Sequence, residues 1–181
     1  MEGSAKIVLF IGGVVSLLLG GFHANKPENT LIRPPGAIAE TEFLATCIRC
    51  GKCAQICPQK AIAIGRGDLG MAIGTPYLVP RNAPCDLCLK CILVCTSGAL
   101  RQVEKSQVRM GLAEINRETC LAWQGVECKI CYTSCPFYNR AIRLEDHERP
   151  VVDKTVCVGC GICEHVCIAE PPAISVQAGR R

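Results

Sequence analysis

Sixteen cysteines fall in four runs of four along 181 residues, and their spacing limits the fold more than any other feature. Three runs share one rhythm, C-x2-C-x2-C-x3-C: Cys47, Cys50, Cys53, Cys57; Cys85, Cys88, Cys91, Cys95; and Cys157, Cys160, Cys163, Cys167. The remaining run, Cys120, Cys128, Cys131, Cys135, widens its first gap to seven residues. Pro58 and Pro136 follow the first and third runs, Thr96 and Ile168 the second and fourth. Three thiolates on one tight loop reach three corners of a small cubic iron-sulfur core, and the fourth corner needs a distant segment. Where two runs cooperate, the last cysteine of each ligates the cluster of the other, so runs work in pairs. All sixteen cysteines are therefore candidate ligands, and the expected cofactors are four [4Fe-4S] clusters.

Other cysteine chemistries fit less well. A disulfide scaffold also uses an even number of cysteines, but bridges do not demand this repeated rhythm, and close neighbours in a loop make poor bridging partners. Zinc sites use C-x2-C pairs separated by longer loops, without a third cysteine three residues on. A Rieske site needs paired histidines beside its cysteines, whereas His23, His147 and His165 are scattered. His165 reads as a surface residue of the fourth loop.

Residues 42–181 hold every cysteine but only six of the eight aromatic side chains. Apolar packing alone would give a thin core, so folding and cluster insertion should be coupled. The formal charge of +4 counts each cysteine as a neutral thiol. An oxidised cubane with its four thiolates carries about −2, which turns the loaded balance to roughly −4 and removes the basis for nucleic-acid binding. Arg49 and Lys52 stand in the first run, Lys90 in the second and Lys129 in the third, while the fourth has none between its cysteines. Nearby cations favour a reduced, more negative cluster. The cluster on Cys157, Cys160 and Cys163 is therefore expected to have the lowest potential.

Residues 1–23 are read as a transmembrane anchor: Ile7 to Phe22 is apolar apart from Ser16 and glycines, and a span from Ala5 approaches bilayer length. A cleaved secretory signal is the alternative. Gly12, Ser16 and Gly20 recur every four residues, as on helix faces that approach a neighbouring membrane helix. Residues 24–41, with Pro27, Pro34 and Pro35, read as an extended linker.

Residues 42–181 form an internal repeat whose first cysteines, at 47, 85, 120 and 157, lie 38, 35 and 37 residues apart. Each unit closes on a short apolar pair: Ala61-Ile62, Ala99-Leu100, Ala141-Ile142 and Ala173-Ile174. Strand-like approaches stand at Pro76 to Val79, Gly111 to Ile115 and Val151-Val152. Strand, ligand loop, helical turn and strand predict an α+β fold of two pseudo-repeated double-cluster ferredoxin modules. Gly65 to Gly70 matches G-x-G-x-x-G, but Pro76, Pro80 and Pro84 follow in place of a helix, so it is read as a turn between modules and no nucleotide is expected. Trp123, Tyr132, Phe137 and Tyr138 cluster about the third run and are expected to shield a cluster from water.

The chain resembles the ferredoxin-type polyferredoxins of the MauM/NapG kind, electron-transfer proteins of methylamine-utilisation and periplasmic nitrate reductase systems, from Arg33 to Val176. The likeness rests on Arg33-Pro34-Pro35-Gly36-Ala37-Ile38, Gly74-Thr75-Pro76-Tyr77, Met110-Gly111-Leu112-Ala113, Gln124-Gly125 and Cys157-Val158-Gly159-Cys160-Gly161-Ile162-Cys163. It implies a four-cluster subunit relaying electrons between a quinone- or quinol-linked membrane protein and a redox enzyme or cytochrome. No catalytic residue is expected, since every run is complete and leaves no open iron site. Alternative readings are the iron-sulfur subunit of a molybdopterin oxidoreductase or a cytoplasmic polyferredoxin. Pairing in related four-run subunits implies Cys47, Cys50, Cys53 with Cys167; Cys157, Cys160, Cys163 with Cys57; Cys85, Cys88, Cys91 with Cys135; and Cys120, Cys128, Cys131 with Cys95. Sequential pairing is the other possibility. The resemblance also implies attachment to a bacterial inner membrane with the clusters on the periplasmic side, although the twin-arginine signal common in the family is missing before Ile7, where only Lys6 is basic.

Overall fold

Helices of one or two turns and strands of three to five residues cannot stand alone in water, so this fold depends on what its cysteine loops bring together. The computed structural model describes residues 31–146 and 148–179. The elements are α1 (Glu40–Thr46), α2 (Lys52–Ile56), β1 (Ile62–Ile64), β2 (Pro76–Leu78), α3 (Lys90–Leu93), β3 (Gly111–Ile115), α4 (Ile130–Thr133), β4 (Ile142–Glu145), β5 (Arg149–Val152), α5 (Ile162–His165) and β6 (Ile174–Ala178). Single 3-10 turns sit at Gly70–Ala72 and Lys105–Gln107. The α+β class is as expected. The anchor expected at residues 1–23 lies outside the described residues; among the described residues no helix is long and apolar enough to cross a membrane.

The strands form three antiparallel pairs, β1 with β2, β3 with β6 and β4 with β5. Their registers put Ile62 opposite Leu78, Ile142 opposite Val152 and Ile115 opposite Ile174. Three of the apolar pairs after the cysteine runs thus open β1, β4 and β6; the fourth forms a bridge from Leu100 to Ala37. Two halves result. In the first, α2 packs on α3 beside the β1–β2 hairpin; in the second, α4 packs on α5 against β3, β6 and the β4–β5 hairpin. Phe43, Val108, Ile142 and Val158 are among the fully buried side chains of a core that threads between the cysteines.

Two segments depart from the sequence reading. Residues 31–39, expected to end an extended linker, are built into the first half, and α1 begins at Glu40. Ile32, Arg33, Pro34 and Pro35 are buried. Ile32 bridges Leu78, and Ile38 N–H and Gly36 O pair with Ala99 O and Arg101 N–H at 3.2 and 2.7 Å. The cause is Arg33, whose guanidinium is only 4 % exposed. It donates to both Glu40 oxygens at 2.9 and 2.5 Å, to Thr75 Oγ1 at 2.9 Å and to Pro76 O at 2.8 Å, and lies 4.7 Å above the Phe43 ring centroid. The second departure is the glycine-rich segment, which lies inside the first half as the β1–β2 loop rather than between modules. Gly65 N–H bonds Thr75 O and Gly74 N–H bonds Gly65 O, both at 2.9 Å.

Candidate iron-sulfur sites

Each tight cysteine run folds into the same loop because its second and fourth residues beyond the first cysteine take left-handed backbone angles. These are Arg49 and Gly51 at φ 57° and 72°, Leu87 and Leu89 at 58° and 59°, and Gly159 and Gly161 at 72° and 81°. Glycine takes this conformation freely, whereas a side-chain-bearing residue loses roughly 1–2 kcal/mol there. The curl turns successive thiols inward, and a single helical turn then carries the third: Cys53 on α2, Cys91 on α3, Cys131 on α4 and Cys163 on α5. At Gly159 space is a second constraint, since a Cβ there would lie 2.5 Å from Gly111 N of β3.

The sixteen cysteines are all unbridged and gather in four groups. In site 1, Cys47, Cys50, Cys53 and Cys95 line one cavity with Ile48, Arg49 and Lys52 on its wall. In site 2, Cys85, Cys88 and Cys91 lie together with Cys57, whose charge acts on Cys88 and Cys91. In site 3, Cys157, Cys160 and Cys163 share a cavity with Cys135, walled by Phe137, Ile142, Val158 and Val176. In site 4, Cys120, Cys128 and Cys131 share one with Cys167, walled by Leu121, Ile130, Pro150 and Ile168. The last cysteine of each run therefore lies with the thiols of its sequence neighbour, first run with second and third with fourth. This grouping, rather than the pairing of first with fourth and second with third that the resemblance implied, is what the structure brings together. Its physical reason is the packing of α2 on α3 and of α4 on α5, which sets each run's outgoing cysteine over its sequence neighbour.

Burial governs the thiols. It pushes Cys53 up from its ordinary 9.0 to about 11, against the Ala54 N–H and with help from Cys47 and Cys50. Burial likewise lifts Cys85, Cys91 and Cys131 to about 12 and Cys160 to about 11, and raises Cys163 well above 9.0. Cys95 runs the other way. Burial opposes the shift, but the Leu100 N–H at 3.3 Å and the Ser97 hydroxyl at 3.7 Å, helped by nearby backbone N–H groups, lower it. Crowded thiols in apolar walls are costly to ionise unless cations replace the protons, so the donor set suits iron bound as thiolate. Among the described residues, no three His, Cys, Asp or Glu side chains converge closely enough to hold a single metal ion. Cavities edged by four thiols suit a larger core than one zinc ion.

The sites also adjoin in a fixed order. Burial and then the Cys53 charge raise Cys91, linking sites 1 and 2. Cys85 N–H donates to Cys160 O at 2.9 Å, joining site 2 to site 3 across the halves. Burial and then neighbouring thiols raise Cys163, and among these Cys131 of site 4 links sites 3 and 4. Arg81 clasps the junction by donating to Cys167 O at 2.8 Å and pairing with Glu170 at 2.5 Å, and His165 Nδ1 lies 2.9 Å from Arg81 O, with the histidine exposed. Nothing in the sequence marked Arg81, which stands between two proline-rich stretches with no motif around it.

The cations and aromatics divide. Arg49 donates to Ile73 O at 3.0 Å and Met71 O at 3.1 Å. Lys129 pairs with Glu148 at 2.5 Å and Glu127 at 3.6 Å, so its charge is offset. Trp123 packs against the small core of Cys120, Ala122 and Ala173, donates to Pro150 O at 3.1 Å and is capped by the Arg117 guanidinium 4.1 Å from its ring centroid. Phe137 lines site 3, while Tyr132 and Tyr138 meet edge to face.

Paired cysteine loops that exchange ligands within a small α+β module define a ferredoxin-type iron-sulfur protein. The 4Fe-4S dicluster domain family matches residues 46–99, which span the first two runs together. The chain is 44 % identical over 160 residues to the ferredoxin-type protein NapG of Escherichia coli, covering 80 % of this chain and 69 % of that protein. It is 38 % identical over 177 residues to the methylamine utilization ferredoxin-type protein MauM of Paracoccus denitrificans, covering 87 % and 79 %. The ferredoxin-type protein NapF of Escherichia coli is more distant, at 29 % over 140 residues. The chain belongs to the NapG and MauM family of ferredoxin-type proteins and is an iron-sulfur electron-transfer protein.

Proposed function

We propose that this chain is a four-cluster electron relay, with one [4Fe-4S] cluster at each of sites 1 to 4 and all sixteen cysteines as ligands. The observation that carries it is the gathering of the cysteines into four complete, adjoining sets of four. When bound, such clusters supply one-electron redox chemistry without making or breaking substrate bonds. The protein's residues do the rest. The left-handed loops orient three thiols per site, the neighbouring run delivers the fourth, and the Cys85–Cys160 hydrogen bond with the Arg81 clasp sets the spacing between halves. Apolar walls exclude water, and the Leu100 N–H and Ser97 hydroxyl bias site 1 towards the charged form of Cys95. No catalytic residue is assigned.

The relatives' description as ferredoxin-type proteins supports a place between two redox partners. One is a membrane protein that oxidises quinol or reduces quinone; the other is a redox enzyme or cytochrome. The apolar run at Ile7 to Phe22 supports attachment to a bacterial inner membrane, with the cluster domain on the periplasmic side. Gentle detergent extraction of the full chain, followed by identification of co-purifying subunits, tests this reading. A quinone-reactive membrane subunit is expected, and a molybdopterin subunit alone would replace it with the rival assignment.

A further inference from the structure

At site 1 the proposed relay meets the surface. Cys50 is the one cysteine classed as exposed among the described residues. Ile48, on the wall of the same site, is 64 % exposed, and Met71 and Ile73, whose carbonyls Arg49 holds, are 73 % and 48 % exposed. Large apolar side chains grouped in this way mark interaction surfaces. Their grouping is built: the Arg49 guanidinium reaches from the Cys47–Cys50 loop to Met71 O, Ile73 O and Cys47 O at 3.1, 3.0 and 3.3 Å. This pins the loop after the 3-10 turn against the ligand loop. Arg49 donates to these backbone carbonyls and has no carboxylate partner among the described residues, and Lys52 is exposed at the start of α2. The nearby carboxylates of α1 are already engaged, Glu40 by Arg33 and Glu42 by Arg101 at 2.8 Å.

We propose that Ile48, Met71 and Ile73, with Arg49 and Lys52 at their edge, form the docking face for a redox protein whose own face is apolar at the centre and rimmed by carboxylates. This rests on the relay reading above and adds to it which end exchanges electrons and with what kind of surface. Contact there sets the partner's redox centre over Cys50, and one electron passes between it and site 1 without proton transfer. Apolar contact supplies hold and the cations supply approach, since charge complementarity acts mainly on the association rate.

The test uses anaerobically purified, cluster-loaded full chain, reduced and mixed in a stopped-flow instrument with two one-electron acceptors of opposite surface charge, acidic plastocyanin and a basic c-type cytochrome. Expected for plastocyanin is a second-order rate that falls steeply with salt. That rate should drop about tenfold in Lys52→Glu and at least threefold in Met71→Asp, while Lys154→Glu in the second half stays within about twofold. The cytochrome rate should rise in Lys52→Glu. Iron content and visible absorbance of each variant separate a lost cluster from a lost docking face. Equal effects of Lys52→Glu and Lys154→Glu, or none from Met71→Asp with iron intact, would overturn the proposal. So would a dimer of the full chain, or its binding to phosphatidylcholine vesicles, that Met71→Asp abolishes, because a second copy or a bilayer would then be the occupant. Colourless, iron-free protein would instead sink the relay reading itself.

Discussion

Arg33→Ala is expected to unravel site 1 from a distance. The substitution leaves the Glu40 carboxylate, 13 % exposed, without its partner and strands the Thr75 and Pro76 acceptors. Removing one member of a buried pair costs about 3–5 kcal/mol, and the lost contact with Phe43 adds about 0.5–1 kcal/mol. At roughly 3 °C per kcal/mol for a domain of this size, the midpoint should fall by about 10 °C or more. Because α1 runs directly into Cys47, the loss should reach site 1 first, with about four iron atoms released ahead of the rest. Anaerobic thermal bleaching of the visible thiolate-to-iron band, with iron counted at each temperature, reads both effects. The double substitution Arg33→Met with Glu40→Leu should recover at least half of the loss, since two apolar groups leave no charge stranded. A single variant within about 1 kcal/mol of the parent, or a double variant as unstable as the single, would refute the reasoning.

Ligand exchange within each half predicts that Cys47→Ser with Cys95→Ser costs one cubane, about four iron atoms, whereas Cys47→Ser with Cys167→Ser costs two; equal losses, by iron analysis, would contradict the grouping. In iron-free chain, thiols raised from 9.0 to between about 11 and 12 bind protons more tightly folded than unfolded. Their contribution is thus fully present below pH 9 and lost as pH climbs towards 12. Melting followed by circular dichroism should show the iron-free midpoint falling above pH 9 while the loaded chain stays flat, and an iron-free midpoint rising there would count against this. Site 3, with no cation on its wall, should titrate at a lower potential than site 1, which has Arg49 and Lys52 on its own; site-resolved spectroscopic titration giving the reverse order would remove the electrostatic explanation.

Much of this arrangement was legible in the residues. The rhythm of the runs marked every loop, because cubane ligation ties spacing to chemistry. The apolar pairs after the runs located β1, β4 and β6, because a strand closing a small module needs an inward-facing residue just after the loop. The choice of exchange partner was hidden, since one-turn helices carry no signal for which neighbour they pack against. The available hint was the distance from last cysteine to apolar pair, alike in the first two units and alike in the last two. Arg33 falls inside the stretch that reads as a linker; only the fold shows that Thr75, Pro76 and Glu40 converge on it. Trp123, expected to shield a cluster from water, packs against the small core that holds Cys120.

The most direct test counts iron and acid-labile sulfide in the anaerobically purified full chain. Sixteen thiols in four complete sets predict about sixteen of each per chain. A value near eight would leave two of the four sites without clusters, and zinc in place of iron would contradict the account at its root.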